Sequence, residues 1–293
     1  MPALDANKVY YWQVVAHTPS ADVRGPTWWF ATAEPCQKAT LTISSTDGGS
    51  VTVPGEGTFM YSRCQDVNVV AQADAGYRFV RWSGPAVNDG NVADPNSPST
   101  TVRVCQNTSL KAEFEPDCGI IHDFPLDSNP GWAMNGQWEF GKLTGPGQRG
   151  REYGNPDPTS GHTGQNVFGV NLNGDYNTAI GGPFSLVAGP FDLRGYKDVT
   201  LKFWRWLNVD WGDYVRSSVE ISTDGKTWSL VWQNPQRAEV ADSAWTPVEY
   251  DISAQADGQP AVYLRWSYQI VKERACPYSG WNLDDIQLIG CKK

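Results

Sequence analysis

The chain carries only three histidines, His17, His122 and His162, which limits the acid–base chemistry open to it. No HExxH helix, GxSxG elbow or Walker-type glycine loop occurs, so the usual frames for metalloproteases, serine hydrolases and nucleotide hydrolases are missing. Ser160 and His162 are neighbours in TSGHTG. A hydroxyl and an imidazole two residues apart make no proton relay without an acid to orient the ring. Carboxylates converging from distant loops could still hydrolyse a glycoside, a chemistry that no Asp-rich sequence rules out. The residue types point to binding, and no enzyme active site is expected.

Two other groups of residues could do chemistry of a different kind. In WNLDDIQLIG, Asp285 alternates with Leu283 and Gln287, while Asp284 falls in line with Ile286 and Leu288. Strict strand alternation therefore sends one carboxylate toward a core face, where it must be paired or bound to a metal ion. The second group is aromatic. Trp204, Trp206, Trp211 and Tyr214 crowd one strand and its following loop, with Trp204 and Trp206 out of phase with core-facing Phe203 and Leu207. Sugar rings stack on exposed aromatic faces, whereas buried aromatics fill a sandwich core. Trp206, Trp211 and Tyr214 are the candidate ligand-binding residues, because WGDY is a turn from which side chains can project.

The elements that would position these groups are strands. The sequence of 293 residues combines 12% aromatic residues with 29 Gly and 20 Pro, and no long stretch has helical apolar periodicity. No apolar run approaches the length of a membrane span. The formal net charge of −9 opposes binding to a phosphate backbone, so no nucleic-acid partner is expected. The opening MPALDANKVYYW lacks the basic start and apolar core of a signal peptide, so export would require a leader and further domains upstream. Six isolated cysteines without a CxxC pair suit structural disulfides in an oxidising compartment.

Three segments follow from the patterning. Residues 1–34 contain two strands, NKVYYWQVVAH and TWWFATA, joined by a polar turn; they resemble the C-terminal hairpin of a fibronectin type III domain, here a truncated remnant. Its apolar face should be uncovered. Residues 36–116 are a small β-rich domain with Gly48-Gly49 as a hairpin signal and Tyr77, Phe79 and Trp82 as core candidates. Its G-G-x-V opening, its G-Y-x-F-x-x-W-x-G centre and its closing A-x-F resemble the internalin B-like bacterial repeat, a spacer module of surface proteins. Residues 118–291 form the largest domain. Val262, Leu264 and Trp266 should face its core while Tyr263 and Arg265 point out, and Asp224-Gly225 should close a hairpin. About ten strands and no helices predict a two-sheet sandwich.

The motif order in this last segment, DFPLDSNPGW, GQWEFG, PDPTSGHTGQNVFGVNLNGDY, LVAGPFDLRGYKDVTLKFWRW, VEISTDGKTW and SGWNLDDIQLIG, resembles the meprin/neuropilin-like (MAM-like) jelly roll appended to exported bacterial peptidases and hydrolases. The resemblance implies a structural calcium ion. Its ligands would fall on Asp123, on Asp157 and Thr159 of the D-x-T loop, and on Asp284 with Asp285; Pro125 replaces a Glu frequent in that family. In that fold the first and last strands are neighbours, which pairs Cys118 with Cys291, and Cys64 with Cys105 inside the repeat. Cys36 and Cys276 are left over, and Cys36–Cys118 with Cys276–Cys291 is the alternative. The whole reads as an all-β, non-catalytic region of a secreted or surface bacterial protein. Its jelly roll would bind polysaccharide or cell-surface glycan; the competing roles are a ligand-free stalk or an accessory domain of a peptidase.

Overall fold

The computed structural model describes residues 4–32, 37–145, 147 and 153–293. The chain divides into two compact units, Met1–Glu115 and Pro116–Lys293. Both are built from strands, as alternating apolar residues broken by Gly and Pro require.

In the first unit, β1 (Val9–His17) and β2 (Asp22–Ala31) form a two-stranded antiparallel hairpin. Trp12 stacks on Trp28 across it with centroids 4.5 Å apart, yet Tyr11 and Trp29 remain about two-thirds exposed. The strands that follow are β3 (Lys38–Ser45), β4 (Gly49–Val53), β5 (Gly57–Ser62), β6 (Gln65–Ala73), β7 (Tyr77–Ser83), β8 (Ser99–Val104) and β9 (Thr108–Pro116), with a one-turn helix α1 (Pro85–Asn88). They make two small sheets, β5-β3-β9-β7 and β4-β6-β8, around Leu41, Ile43, Val69, Trp82, Val102 and Leu110. Trp82 is buried, and its indole N–H donates to the Ser97 carbonyl (2.9 Å).

The Gly-Gly pair has a packing reason. Gly48 has φ 92, and a Cβ there would run into the Tyr77 ring; one on Gly49 would lie 2.6 Å from the Phe114 ring. The opening, middle and closing motifs of the repeat are therefore one contact set. Phe79 packs against the core, whereas Tyr77 is half-buried over Gly48 and does not enter it.

The second unit begins with β10 (Cys118–Phe124), β11 (Ala133–Met134), β12 (Trp138–Lys142), β13 (Asn166–Val170) and β14 (Gly181–Phe191). It continues with β15 (Tyr196–Val209), β16 (Val215–Ser222), β17 (Ser229–Gln233), β18 (Val240–Ala241), β19 (Thr246–Asp251), the one-turn α2 (Ser253–Ala256), β20 (Val262–Ile270) and β21 (Gly280–Lys292). The larger sheet runs β12-β13-β21-β15-β18, with β10 also on β21 and β19 also on β15; the smaller runs β11-β14-β20-β16-β17. Phe168, Leu186, Leu201, Phe203, Val219, Leu264, Trp266 and Trp281 fill the space between them. Val262, Leu264 and Trp266 are buried while Tyr263 and Arg265 are only half-buried. Two short helices, α1 and α2, are the departure from an all-strand reading.

First and last strands pair directly, Cys118 opposite Cys291, and a disulfide joins them. A second disulfide joins Cys64 and Cys105. Cys291 is therefore taken, which overturns the Cys276–Cys291 alternative. Cys276 is unbonded among the described residues, and Cys36 lies outside them.

Candidate functional site

Strand β15 shows how the functional side chains reach the surface. Val199, Leu201, Phe203 and Leu207 are buried in the core, so Lys202, Trp204 and Trp206 project from the outer face of the larger sheet. The loop 155–163 lies against that face. The Trp206 indole donates to the Pro156 carbonyl (3.0 Å), and the His162 ring stacks on Trp204 with centroids 3.6 Å apart.

Strand β21 brings the acid pair to the same loop by breaking its own alternation. Trp281 and Leu283 face the core at odd positions, Ile286 and Leu288 at even ones. The pairing with β15 slips by one residue between Asp284 and Gln287, and Asp285 has φ 44, so a bulge absorbs the extra residue. Neither carboxylate enters the apolar core, which corrects the expectation from strict alternation. Asp284 is nonetheless fully buried, accepting the backbone N–H of Thr163 (3.1 Å) and of Asp285 (2.8 Å). Burial pushes its carboxyl up to about 6. Asp285 accepts the Thr163 hydroxyl (2.6 Å) and meets His162 Nδ1 (2.6 Å).

The acid missing from TSGHTG is thus Asp285, contributed from far along the chain. The Ser160 hydroxyl, however, donates to the Gly161 carbonyl (3.0 Å), away from the imidazole.

The five expected calcium residues are dispersed. Asp123 accepts the Gln287 amide (3.0 Å) and, with Asp285, lines a groove of 590 Å³ floored by Lys202, Trp204 and Glu249. Asp157 and Thr159 line a separate cleft of 370 Å³ beside Trp206 and Trp245. Among the described residues, no three His, Cys, Asp or Glu side chains converge as metal ligands would. Calcium needs six to eight oxygens around one point, so hydroxyl, amide and carbonyl oxygens would have to supply most of them here. One observation stays open to a cation. Asp157 is 5% exposed; its Oδ1 accepts the Asn282 amide (2.6 Å), but its Oδ2 has no hydrogen-bond partner among the described residues. The neighbouring Ser279 hydroxyl is spent on the Asn155 carbonyl (2.9 Å). Burial pushes the Asp157 carboxyl up to about 8.

The three candidate ligand-binding aromatics also divide. Trp206 belongs to the Asp157 cleft, in edge contact with Trp245. Trp211 and Tyr214 lie together in a cleft of 440 Å³ where β15 turns into β16, with Tyr153, Tyr278, Asp210, Glu239, Arg274 and Cys276. Trp211 is 45% exposed. Its turn is anchored by buried Asp210, whose carboxylate accepts the N–H of Trp211 (2.8 Å) and of Cys276 (2.8 Å). Tyr176 donates to the Cys276 carbonyl (2.8 Å), and Tyr278 donates to Glu239 (2.5 Å). Burial, then the Glu239 carboxylate, push the Tyr278 phenol far up, so it stays a neutral donor. The cleft has a hydrogen-bonded frame, with the rings of Trp211 and Tyr153 open to solvent.

Residues 39–118 match the divergent InlB B-repeat domain family. Bacillopeptidase F of Bacillus subtilis (strain 168) is 24% identical over 203 residues, which are 68% of this chain and 12% of that protein. The chain thus corresponds to a small part of the peptidase it resembles. Among solved structures, the K3 cleaved adhesin domain of Lys-gingipain from Porphyromonas gingivalis is 14% identical with a TM-score of 0.32, covering 58% of this chain and 99% of that one. The CBM22-2 xylan-binding domain from Paenibacillus barcinonensis Xyn10C is 15% identical with a TM-score of 0.33, covering 57% and 96%.

Tyr153, Tyr278, Glu239 and Arg274 were not legible as site residues. They come from separate loops, and no local spacing links them to WGDY. The one available signal was the odd composition of ERACPYSGW, a Cys, a Pro and a Tyr crowded just before the last strand.

Proposed function

We propose that the Pro116–Lys293 unit binds polysaccharide or cell-surface glycan through the Trp211–Tyr214 cleft, as a non-catalytic attachment region of an exported bacterial protein. The observation that carries this is the exposed Trp211 ring beside Tyr214, Tyr153 and Tyr278 in a cleft of 440 Å³, a volume within the range of small-ligand sites. Stacking on a sugar ring needs a flat, pre-positioned aromatic face, and the Asp210 hydrogen bonds hold the backbone that carries this one. The two disulfides suit an oxidising extracellular setting. Trp211→Ala is expected to weaken retention on the bound polysaccharide roughly 5- to 150-fold, the equivalent of about 1–3 kcal/mol for one stacking platform. Circular dichroism should be unchanged, since the side chain fills no core. Trp206→Ala, in a different cleft, should change binding little. Affinity electrophoresis against a panel of insoluble and soluble polysaccharides measures both; equal retention of the wild type and the Trp211 variant on every polysaccharide ends the reading.

A second reading has its own support. The similarity to Bacillopeptidase F over 203 residues favours a role as an accessory region of an exported peptidase. Fusing or deleting the region in such a parent and comparing its activity on soluble and insoluble substrates separates targeting from a structural spacer. Calcium remains a proposal for this unit, narrowed to the unpartnered Asp157 Oδ2.

A further inference from the structure

We propose that the Trp211–Tyr214 cleft selects saccharides that carry carboxylates, with Arg274 as the group that reads the carboxylate. This rests on the carbohydrate-binding reading of the same cleft and names its ligand class. The protein is acidic overall, with a formal net charge of −9, so a neutral glycan would be the expected partner of an average surface patch. Within the cleft, one guanidinium, that of Arg274, stands among the aromatic rings. The two lining carboxylates are already engaged: Asp210 accepts two backbone N–H groups, and Glu239 accepts the Tyr278 phenol. Arg274 lines the cleft and forms no ion pair among the described residues, whereas Lys272, outside the lining, is taken up over the Tyr214 ring at 5.5 Å. Glu273, between them in sequence, is exposed and does not line the cleft.

The backbone holds Arg274 in place at a cost. Its φ of 68 is left-handed, a conformation an L-residue rarely adopts. The segment is pinned on both sides, by Val271 N–H to the Tyr214 carbonyl (2.8 Å) and by Cys276 N–H to Asp210 (2.8 Å). A planar guanidinium donating two parallel hydrogen bonds matches a carboxylate in a way an ammonium does not. Set beside an aromatic platform, that fork suits a uronic acid: the ring stacks on Trp211 and the carboxylate meets Arg274.

The probes are polygalacturonate, alginate and hyaluronate fragments, each compared with the same fragment after its carboxyl groups are reduced to alcohols. The full chain should bind at least one carboxylated fragment tenfold or more tighter than its reduced partner, and rising salt should shrink that difference. Arg274→Gln should abolish the preference while leaving the weaker binding of the reduced fragment; Arg274→Lys should restore only part of it. Trp211→Ala should weaken both members of the pair. Equal or tighter binding of the reduced fragments, or an unchanged preference in the Arg274→Gln protein, overturns the proposal while leaving carbohydrate binding intact. Absence of binding to these fragments and to every neutral polysaccharide overturns both readings together.

Discussion

Replacing Cys118 and Cys291 together by Ser is expected to lower the stability of the Pro116–Lys293 unit by about 3–5 kcal/mol, and its Tm by roughly 10 °C. The bridge spans 173 residues, nearly the whole unit, and ties the first strand to the last. A cross-link of that span removes denatured-chain entropy worth about 5 kcal/mol in the chain-entropy model, before any native strain is subtracted. The native contacts across it should survive its loss. Residues 118–124 of β10 still pair with β21, and Phe124 still packs on Trp132 and Phe191. The double variant should therefore fold with the wild-type circular dichroism spectrum and melt early in calorimetry. The Cys64–Cys105 bridge closes a shorter loop, separated by 41 residues, so its removal should cost its own unit somewhat less. A double Cys118/Cys291 variant that melts with the wild type would mean that β10 is held by packing alone.

How much of this was readable beforehand depends on whether a feature is local. Alternation in AVYLRWSY gave the apolar buried face of β20, because the strand is regular, although Ser267 is buried out of phase with it. The repeat motifs are legible for the same reason, but the spacing of Gly and aromatic residues does not show that Tyr77 covers Gly48 from outside rather than entering the core. The acid pair was misread because alternation assumes an unbroken ladder. The bulge at Asp284–Asp285 changes the phase of β21 halfway along, and nothing in WNLDDIQLIG announces it.

The site divides in the same way. Trp211 and Tyr214 share a turn, and the exposure of Trp211 could be anticipated from WGDY, whereas Tyr214 is half-buried against the core. Trp206, five residues before Trp211 and still within β15, lies in a different cleft, because the loop 155–163 folds over the sheet and claims the indole through Pro156. Tyr153, Glu239, Arg274 and Tyr278 reach the cleft through long-range closure of the sandwich, which local patterns do not encode. Asp157 is a related case. Its D-x-T setting suggested a ligand, but only the fold shows one carboxylate oxygen held by Asn282 and the other left without a partner.

That unpartnered oxygen gives the second large effect. In the presence of a chelator, the Pro116–Lys293 unit is expected to lose stability steadily as pH rises from about 5 to about 8, by roughly 2–4 kcal/mol. The sign follows from which state holds the proton. Burial pushes the Asp157 carboxyl up to about 8 in the folded unit, against an ordinary value near 4 once unfolded. Between those values the folded state binds a proton that the unfolded state has released, so raising the pH favours unfolding until the folded group also ionises. Asp284, pushed up to about 6, adds to the slope at its lower end. Two kinds of group act in the opposite sense. Carboxylates such as Asp251, which the hydroxyl and backbone donors of Ser253 hold below the usual range, matter below pH 5. Burial holds the His122 imidazole below the usual value near 6.5, so the fall is cleanest above about pH 6.5. Asp157→Asn keeps the acceptor for the Asn282 amide and removes the titration. Denaturant melts at several pH values should show a flatter profile for the variant and, near pH 8–9, a stability equal to or above that of the wild type. Calcium supplies the discriminating arm. If a cation takes the free Asp157 oxygen, calcium should restore the wild type at high pH, by about 2.7 kcal/mol at one hundred times its dissociation constant, and leave Asp157→Asn unmoved. A wild-type profile indifferent to calcium assigns the oxygen to a proton and removes the ion from this unit. Parallel slopes for wild type and variant would mean that Asp157 is ionised and solvated in the folded chain.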